Sequence, residues 1–198
     1  MTMICDLIFP TGIWHDYLEI NHDDIIEFCR EKRYSSNGRI LSNIGGWQSE
    51  DFWPEEDPRI HELSREIYAR SLTILDQFKF DTSNTDLRFL NMWININYQN
   101  CLNNIHIHHG SILSGVYYLK CPKNCGDISF HRNFSETFIL KTAANLLEDN
   151  TFNYTNIRFA VEEKKLLLFP SWLPHSVEPN QSEEERISIA FNMVLLKK

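Results

Sequence analysis

At Asp86 the sequence changes its hydrophobic period, and that change limits the possible folds more than any other feature. Before it, apolar residues recur at helical spacing. After it they alternate, as half-buried strands require, because successive side chains of a strand point to opposite faces. In LRFLNMWININY, Leu90, Met92, Ile94 and Ile96 share one face, and Asn91, Trp93, Asn95 and Asn97 share the other. An apolar face backed by amides and a tryptophan suits a strand that lines a polar pocket inside a barrel; the competing reading turns that face to solvent. Alternation returns around His106 and in 112–120, 127–131, 156–161, 164–169 and 186–196. About eight strands after two helices, with no regular β-α succession, predict a mainly β fold. It should be an antiparallel sandwich or jelly roll with the N-terminal helices packed on one face.

The first half supplies those helices. Segment 4–9, ended by Pro10, reads as a strand. Segment 21–33 reads as a helix that Asn21 caps, with Asp23 and Asp24 in its first turn and Arg30, Lys32 and Arg33 in its last. Segment 42–53 is loop-like, with Gly45-Gly46 and two tryptophans, and either covers surface or rims a site. Asp57 and Pro58 open a second helix reaching about Phe80, whose Ile60, Leu63, Ile67, Ile74 and Phe78 form a packing face. The expectation is one domain over 1–198, with 1–85 as helical support and 86–198 as the β core.

Composition sets limits on partners. A net charge of −8 argues against a nucleic-acid backbone as main partner, since phosphates require a basic surface. No apolar run has the length of a membrane span, and no charged-then-apolar leader opens the chain, so the expected setting is cytoplasmic. Five cysteines, an odd number, read as free thiols. Cys121 and Cys125 with Cys101 make a weak zinc candidate, for no second tight cysteine pair completes a tetrahedral set. A homodimer is left open.

The chemistry gathers in 104–119, NIHIHHGSILSGVYYL. On a strand His106 and His108 point the same way, and two imidazoles so placed chelate one metal ion. A third ligand is available in His175, inside the proline-framed KLLLFPSWLPHSVEPN. A lone histidine is more often a hydrogen-bonded core or surface residue; a histidine pair joined to a rigidly framed third is a metal candidate. Arg186 opens RISIAFN, where it shares a face with Ser188 and Asn192. A guanidinium grips a carboxylate with two prongs, and a hydroxyl two residues on adds a donor. By itself Arg186 would read as a surface ion pair with Glu183–Glu185.

Taken in order, HxH, YYL, GDISF, LLLFP, His175 and RIS resemble the iron(II)- and 2-oxoglutarate-dependent oxygenases. That family runs H-x-D, Y-L, G-G-x-L-x-F, a distal histidine, then R-x-S. The likeness is strongest to a branch from marine bacteria and their phages, on SNIGGWQS, HIH, SGVYYL and LFPSWLPHSVEPN, and it spans nearly the whole chain. It implies a double-stranded β-helix core, Fe(II) held by His106, His108 and His175, and 2-oxoglutarate as cosubstrate. Arg186 and Ser188 would take the distal carboxylate, and Tyr118 matches a tyrosine that assists in prolyl-hydroxylase-like relatives, its competing role being core packing. The implied activity is hydroxylation of an unidentified substrate with release of succinate and carbon dioxide; for a phage-encoded chain the setting is the host cytoplasm. One departure stands out. His108 occupies the place of the usual aspartate, which leaves the metal more cationic, or else moves His108 out of direct contact with it. Two other readings share the barrel: a cupin-type three-histidine dioxygenase or isomerase without 2-oxoglutarate, and a non-catalytic binding module.

Overall fold

Alternation in the second half of the chain is realised as two antiparallel sheets that face each other. The computed structural model describes residues 3–143 and 145–198, with eleven strands and three α-helices among them. The strands are β1 (Trp14–Tyr17), β2 (Asn43–Ile44), β3 (Trp47–Gln48), β4 (Thr85–Asn97), β5 (Leu102–His106), β6 (Leu113–Lys120), β7 (Ile128–His131), β8 (Asn156–Phe159), β9 (Lys165–Pro170), β10 (His175–Val177) and β11 (Arg186–Lys197). The helices are α1 (Asp23–Ser35), α2 (His61–Phe78) and α3 (Phe134–Ala143). The larger sheet runs β1-β9-β6-β11-β4-β3 and the smaller β2-β5-β10-β7-β8.

The larger sheet has two different faces. Met92, Ile94 and Ile96 of β4 and Ile187, Ile189 and Phe191 of β11 pack with Ile25 and Phe28 of α1 and Leu63, Ile67 and Ile74 of α2. Truncating one such aliphatic residue to alanine costs roughly 2–5 kcal/mol. The other face looks across to the smaller sheet. There Val116, Tyr118, Ile128, Phe130, Leu167, Phe169 and Ala190 form a second cluster. The space between the sheets is therefore partly packed and partly polar, since Asn95, Asn97, Arg186 and Ser188 share that face. Gly115 is the close approach in this sheet: a Cβ there would stand 2.6 Å from the Leu167 carbonyl oxygen and 2.3 Å from the Phe191 ring.

Several expectations are corrected. Segment 4–9 forms no strand: Ile4, Leu7, Ile8 and Phe9 are exposed, and the outer edge of β9 is taken by Trp14–Tyr17 instead. An apolar run without a sheet edge to pair with has no partner for its backbone. Leu90 does not share the face of Met92. The β4–β11 register slips between Asn192, opposite Asn91, and Met193, opposite Phe89, so Leu90 bulges out and is 39% exposed. Segment 42–53 contains β2 and β3 and buries Trp47 in the helix-side core. Helix α1 starts at Asp23, with Asn21 Oδ1 accepting from its N–H at 3.1 Å. Asp57 accepts from Arg59 N–H at 2.9 Å in a 3-10 turn leading into α2, which ends at Phe78 where Lys79 turns left-handed. Neither α3 nor the three-residue β10 was expected. No helix among the described residues is long and apolar enough to cross a membrane.

Candidate metal centre

Strand pairing brings the three histidines together from distant parts of the chain. His175 opens β10, whose neighbours are β5 and β7, and it stands opposite His106 on one side and Phe130 on the other. β5 ends at His106, so His108 arrives through the turn rather than by the pleat of the strand. Its backbone N–H donates to Ser171 O at 3.0 Å, which ties the turn to the proline-framed segment before His175. His109 is exposed. Among the described residues, His106, His108 and His175 are the group of three whose ligand atoms all lie within 4.8 Å of one another. The three cysteines weighed for zinc form no such group.

Hydrogen bonds fix which nitrogen of two rings is free. His106 Nδ1 lies 2.7 Å from Asn104 O, and His175 Nδ1 lies 2.9 Å from Leu173 O. A carbonyl oxygen only accepts, so both Nδ1 atoms carry hydrogen and both Nε2 atoms present lone pairs, the usual outer support of a metal-binding histidine. His108 Nε2 stands 3.2 Å from His175 Nε2. Two lone pairs that close need a proton or a cation between them. Two nitrogens each about 2.1 Å from one ion at a right angle would be about 3.0 Å apart. Burial pushes the His175 pKa down to about 3 and that of His108 to about 4, with the neighbouring imidazoles adding to the effect, and burial lowers His106 as well. All three are neutral at pH 7, as metal ligation requires. Trp93 packs on His108 and Phe169 on His175, at centroid distances of 5.4 and 4.7 Å.

The cavity beside these histidines is lined by Tyr118, Arg186, Ser188, Asn95 and Trp93, all from the larger sheet, and its empty volume with the mouth is about 490 Å³. Arg186 is 1% exposed, and the nearby acids pair elsewhere, Glu184 with Lys120 and Glu185 with Arg30. The surface ion-pair reading of Arg186 therefore fails. Its Nη1 donates instead to the carbonyl oxygens of Cys125 and Gly126, while its Nη2 is buried without a partner. The Tyr118 hydroxyl is likewise buried and unpaired. Unmet buried donors are costly, so a cavity that keeps them is shaped for an acceptor-bearing guest. Three imidazoles of intermediate softness and two unpaired donors fit a divalent iron with a carboxylate-bearing chelate.

The sequence reading missed the carbonyls that aim Arg186. Their signal was Gly126, in the Gly-Asp before β7: its φ is +82°, and a Cβ would meet Glu178 O at 2.5 Å. Asn192 is not at the inner cavity. It bonds to Asn91 and Ser114 and lines an outer cleft with Arg39, Trp93, His106 and His108.

A two-sheet jelly roll whose inner faces meet at three neutral histidines and a buried arginine has the donor set of a metal-dependent protein. The sequence places it more narrowly: residues 91–192 match the family described as "Putative 2OG-Fe(II) oxygenase", and the chain belongs to that family. No curated protein matches the sequence. Among solved structures, a prolyl-4-hydroxylase from Pseudomonas putida is similar at TM-score 0.62 and 13% identity, over 95% of this chain and 94% of that one. The non-heme alpha ketoglutarate dependent carbocyclase SnoK from nogalamycin biosynthesis is similar at TM-score 0.64 and 12% identity, over 95% of this chain and 82% of that one. HygX from Streptomyces hygroscopicus, with nickel and 2-oxoglutarate bound, is similar at TM-score 0.59 and 14% identity, over 93% and 83%. At such identities the likeness is one of fold. The cofactors follow from the family: Fe(II) and 2-oxoglutarate.

Proposed function

We propose that His106, His108 and His175 hold the iron and that Arg186, with Ser188 and Tyr118, receives the distal carboxylate of 2-oxoglutarate. One observation carries this reading. The same cavity that is bounded by the three histidines also holds an unpartnered guanidinium N–H and an unpartnered phenol. A 2-oxo acid supplies acceptors to both donors at once, which a three-histidine enzyme working without one does not require. Iron with 2-oxoglutarate supplies the oxidising chemistry, one oxygen atom of O₂ going to a C–H bond of the substrate and the other to succinate as carbon dioxide leaves.

The chain's own residues bind, orient and exclude water. Arg186 is pre-aimed by the Cys125 and Gly126 carbonyls, so its free prong loses little freedom on pairing. Three neutral imidazoles would leave both positive charges of a divalent ion uncompensated, and a dianionic cosubstrate would offset them where the usual aspartate is missing. Val116, Phe169 and Trp93 dry the cavity walls, which strengthens each charge-assisted bond inside. The primary substrate enters by the outer cleft, which shares His106, His108 and Trp93 with the inner cavity. The setting is the cytoplasm.

The test is the cosubstrate affinity of Arg186 variants, read together with metal content. Arg186→Ala should weaken 2-oxoglutarate by roughly 2–5 kcal/mol, about one and a half to three and a half decades, with metal content unchanged. Arg186→Lys should recover only part, since an ammonium lacks the fork. Ser188→Ala should cost about 1 kcal/mol. Unchanged affinity in all three variants would remove the carboxylate assignment.

A further inference from the structure

Cys121 and Cys125 belong to neither the metal centre nor the inner cavity. Strand β6 ends at Lys120 and the chain turns at once: Cys125 N–H donates to Pro122 O at 3.1 Å, with Asn124 left-handed at φ +63°. The turn brings the two thiols together, that of Cys121 donating to the Cys125 sulfur. Cys121 is half-buried and Cys125 is buried, and both line an outer cleft with Arg158, Glu178 and Gln181. No residue of that cleft bounds the inner cavity. The backbone of Cys125 nevertheless serves the inner cavity, because its carbonyl oxygen and that of Gly126 accept from Arg186 Nη1. A change at the outer thiols therefore has a short path to the buried guanidinium.

We propose that Cys121 and Cys125 are a modification site, a dithiol that hydrogen peroxide closes to a disulfide, and that closing it loosens the hold on Arg186. The second half rests on the reading that Arg186 receives 2-oxoglutarate; the first does not. One peroxide balances the chemistry. The Cys125 thiolate attacks one oxygen, the O–O bond breaks, and the leaving hydroxide takes a proton to become water. The Cys121 sulfur then attacks the sulfenic acid so formed, the S–O bond breaks, and a second water leaves. Two thiols and one peroxide give one disulfide and two waters. Cys125 is the attacking group: the thiol of Cys121 donates to it, and with the Arg186 charge nearby its pKa is pushed down to about 7 in spite of burial. A disulfide holds its sulfurs about 2.05 Å apart, nearer than hydrogen-bonded thiols stand. One side of the pair must therefore move. Cys121 follows directly on β6 and Glu163 holds its N–H at 3.2 Å, so the movement falls on the turn and on the Cys125 carbonyl.

The experiment treats manganese(II)-loaded protein with one equivalent of hydrogen peroxide, then measures free thiols, tryptic peptides and 2-oxoglutarate affinity by anaerobic calorimetry. Trypsin cuts after Lys120, Lys123 and Arg132, which separates the two cysteines unless a disulfide joins them. Wild type should lose two of its five thiols and yield peptide 121–123 joined to peptide 124–132. Its 2-oxoglutarate affinity should fall about ten- to a hundredfold, the size of one lost hydrogen bond to a charged group. Dithiothreitol should restore both thiols and affinity. Cys121→Ser should give no joined peptide and keep the affinity of reduced wild type before and after peroxide. Absence of the joined peptide in wild type overturns the dithiol. A joined peptide with unchanged affinity overturns the link to Arg186. If reduced wild type takes up no 2-oxoglutarate, the cosubstrate reading falls and the link to Arg186 with it, while the joined peptide still decides the dithiol.

Discussion

In the proposed centre, His175 is the residue at which a proton and a metal would compete most directly. It is 4% exposed, and burial followed by the adjacent imidazoles pushes its pKa down to about 3, against an ordinary value of 6.5. The folded protein keeps the ring neutral where the unfolded chain would take up a proton. Stability is therefore fully present above about pH 6.5 and is lost as pH falls toward the folded values of His108 and His175. We predict that the melting temperature of the metal-free protein drops steadily from pH 7 to pH 4.5, and that His175→Phe, which removes the titrating ring, flattens this dependence. Equal slopes in the two proteins would contradict the assignment. Metal content measured on the same site should vanish in His175→Ala and fall sharply in His106→Ala. His108→Asp should retain one ion per chain, because it restores the carboxylate the family usually carries. If His108→Ala binds as tightly as wild type, His108 is not a ligand.

At the scale of elements, the turn before β7 decides whether the arginine points correctly. Gly126 has a left-handed φ of +82°, and a Cβ would press on two backbone oxygens, Glu178 O at 2.5 Å and Pro179 O at 2.7 Å. Neither oxygen is the end of a flexible side chain, so Gly126→Ala must shift the loop that carries the two carbonyls gripping Arg186. The expected cost is about 1–3 kcal/mol of stability. A loss of 2-oxoglutarate affinity should accompany it, with metal content preserved, readable by thermal melting and calorimetry. Wild-type affinity in a destabilised Gly126→Ala would mean the carbonyl grip is dispensable. The RIS strand was legible in the sequence because period and chemistry coincide there; the histidine pair was legible by its chemistry alone, since β5 ends at His106 and His108 lies beyond the strand. The Leu90 bulge was not, since a one-residue slip leaves no mark on an otherwise alternating run. β10 was not legible either: three residues are too few to show a period, and its pairing with both β5 and β7 comes from the rest of the sheet. The failure of 4–9 as a strand has the same origin, for the sequence cannot say which segment wins the free edge of β9.

Across the whole molecule, the two sheets divide the residues of the proposed site. The smaller contributes His106 and His175, with His108 in the turn just after β5, and the larger contributes Tyr118, Arg186 and Ser188. A cosubstrate that bridges them should stabilise the sandwich as a unit. At a hundredfold excess over its dissociation constant the gain is about 2.7 kcal/mol, a rise of several degrees in melting temperature. That rise should require metal and cosubstrate together, and either one without the other should give less. The sandwich architecture and its helical cover were readable from the period change at Asp86 and the apolar stripe of α2. The inner geometry was not, because distances between sheets depend on every layer beneath them. The most direct measurement of the central claim is an anaerobic titration of iron(II)-loaded protein with 2-oxoglutarate, followed in the visible spectrum. A metal-to-ligand charge-transfer band should grow in to one equivalent in wild type and fail to reach saturation over the same range in Arg186→Ala at equal iron content. Iron bound at one equivalent with no band in wild type would contradict the account.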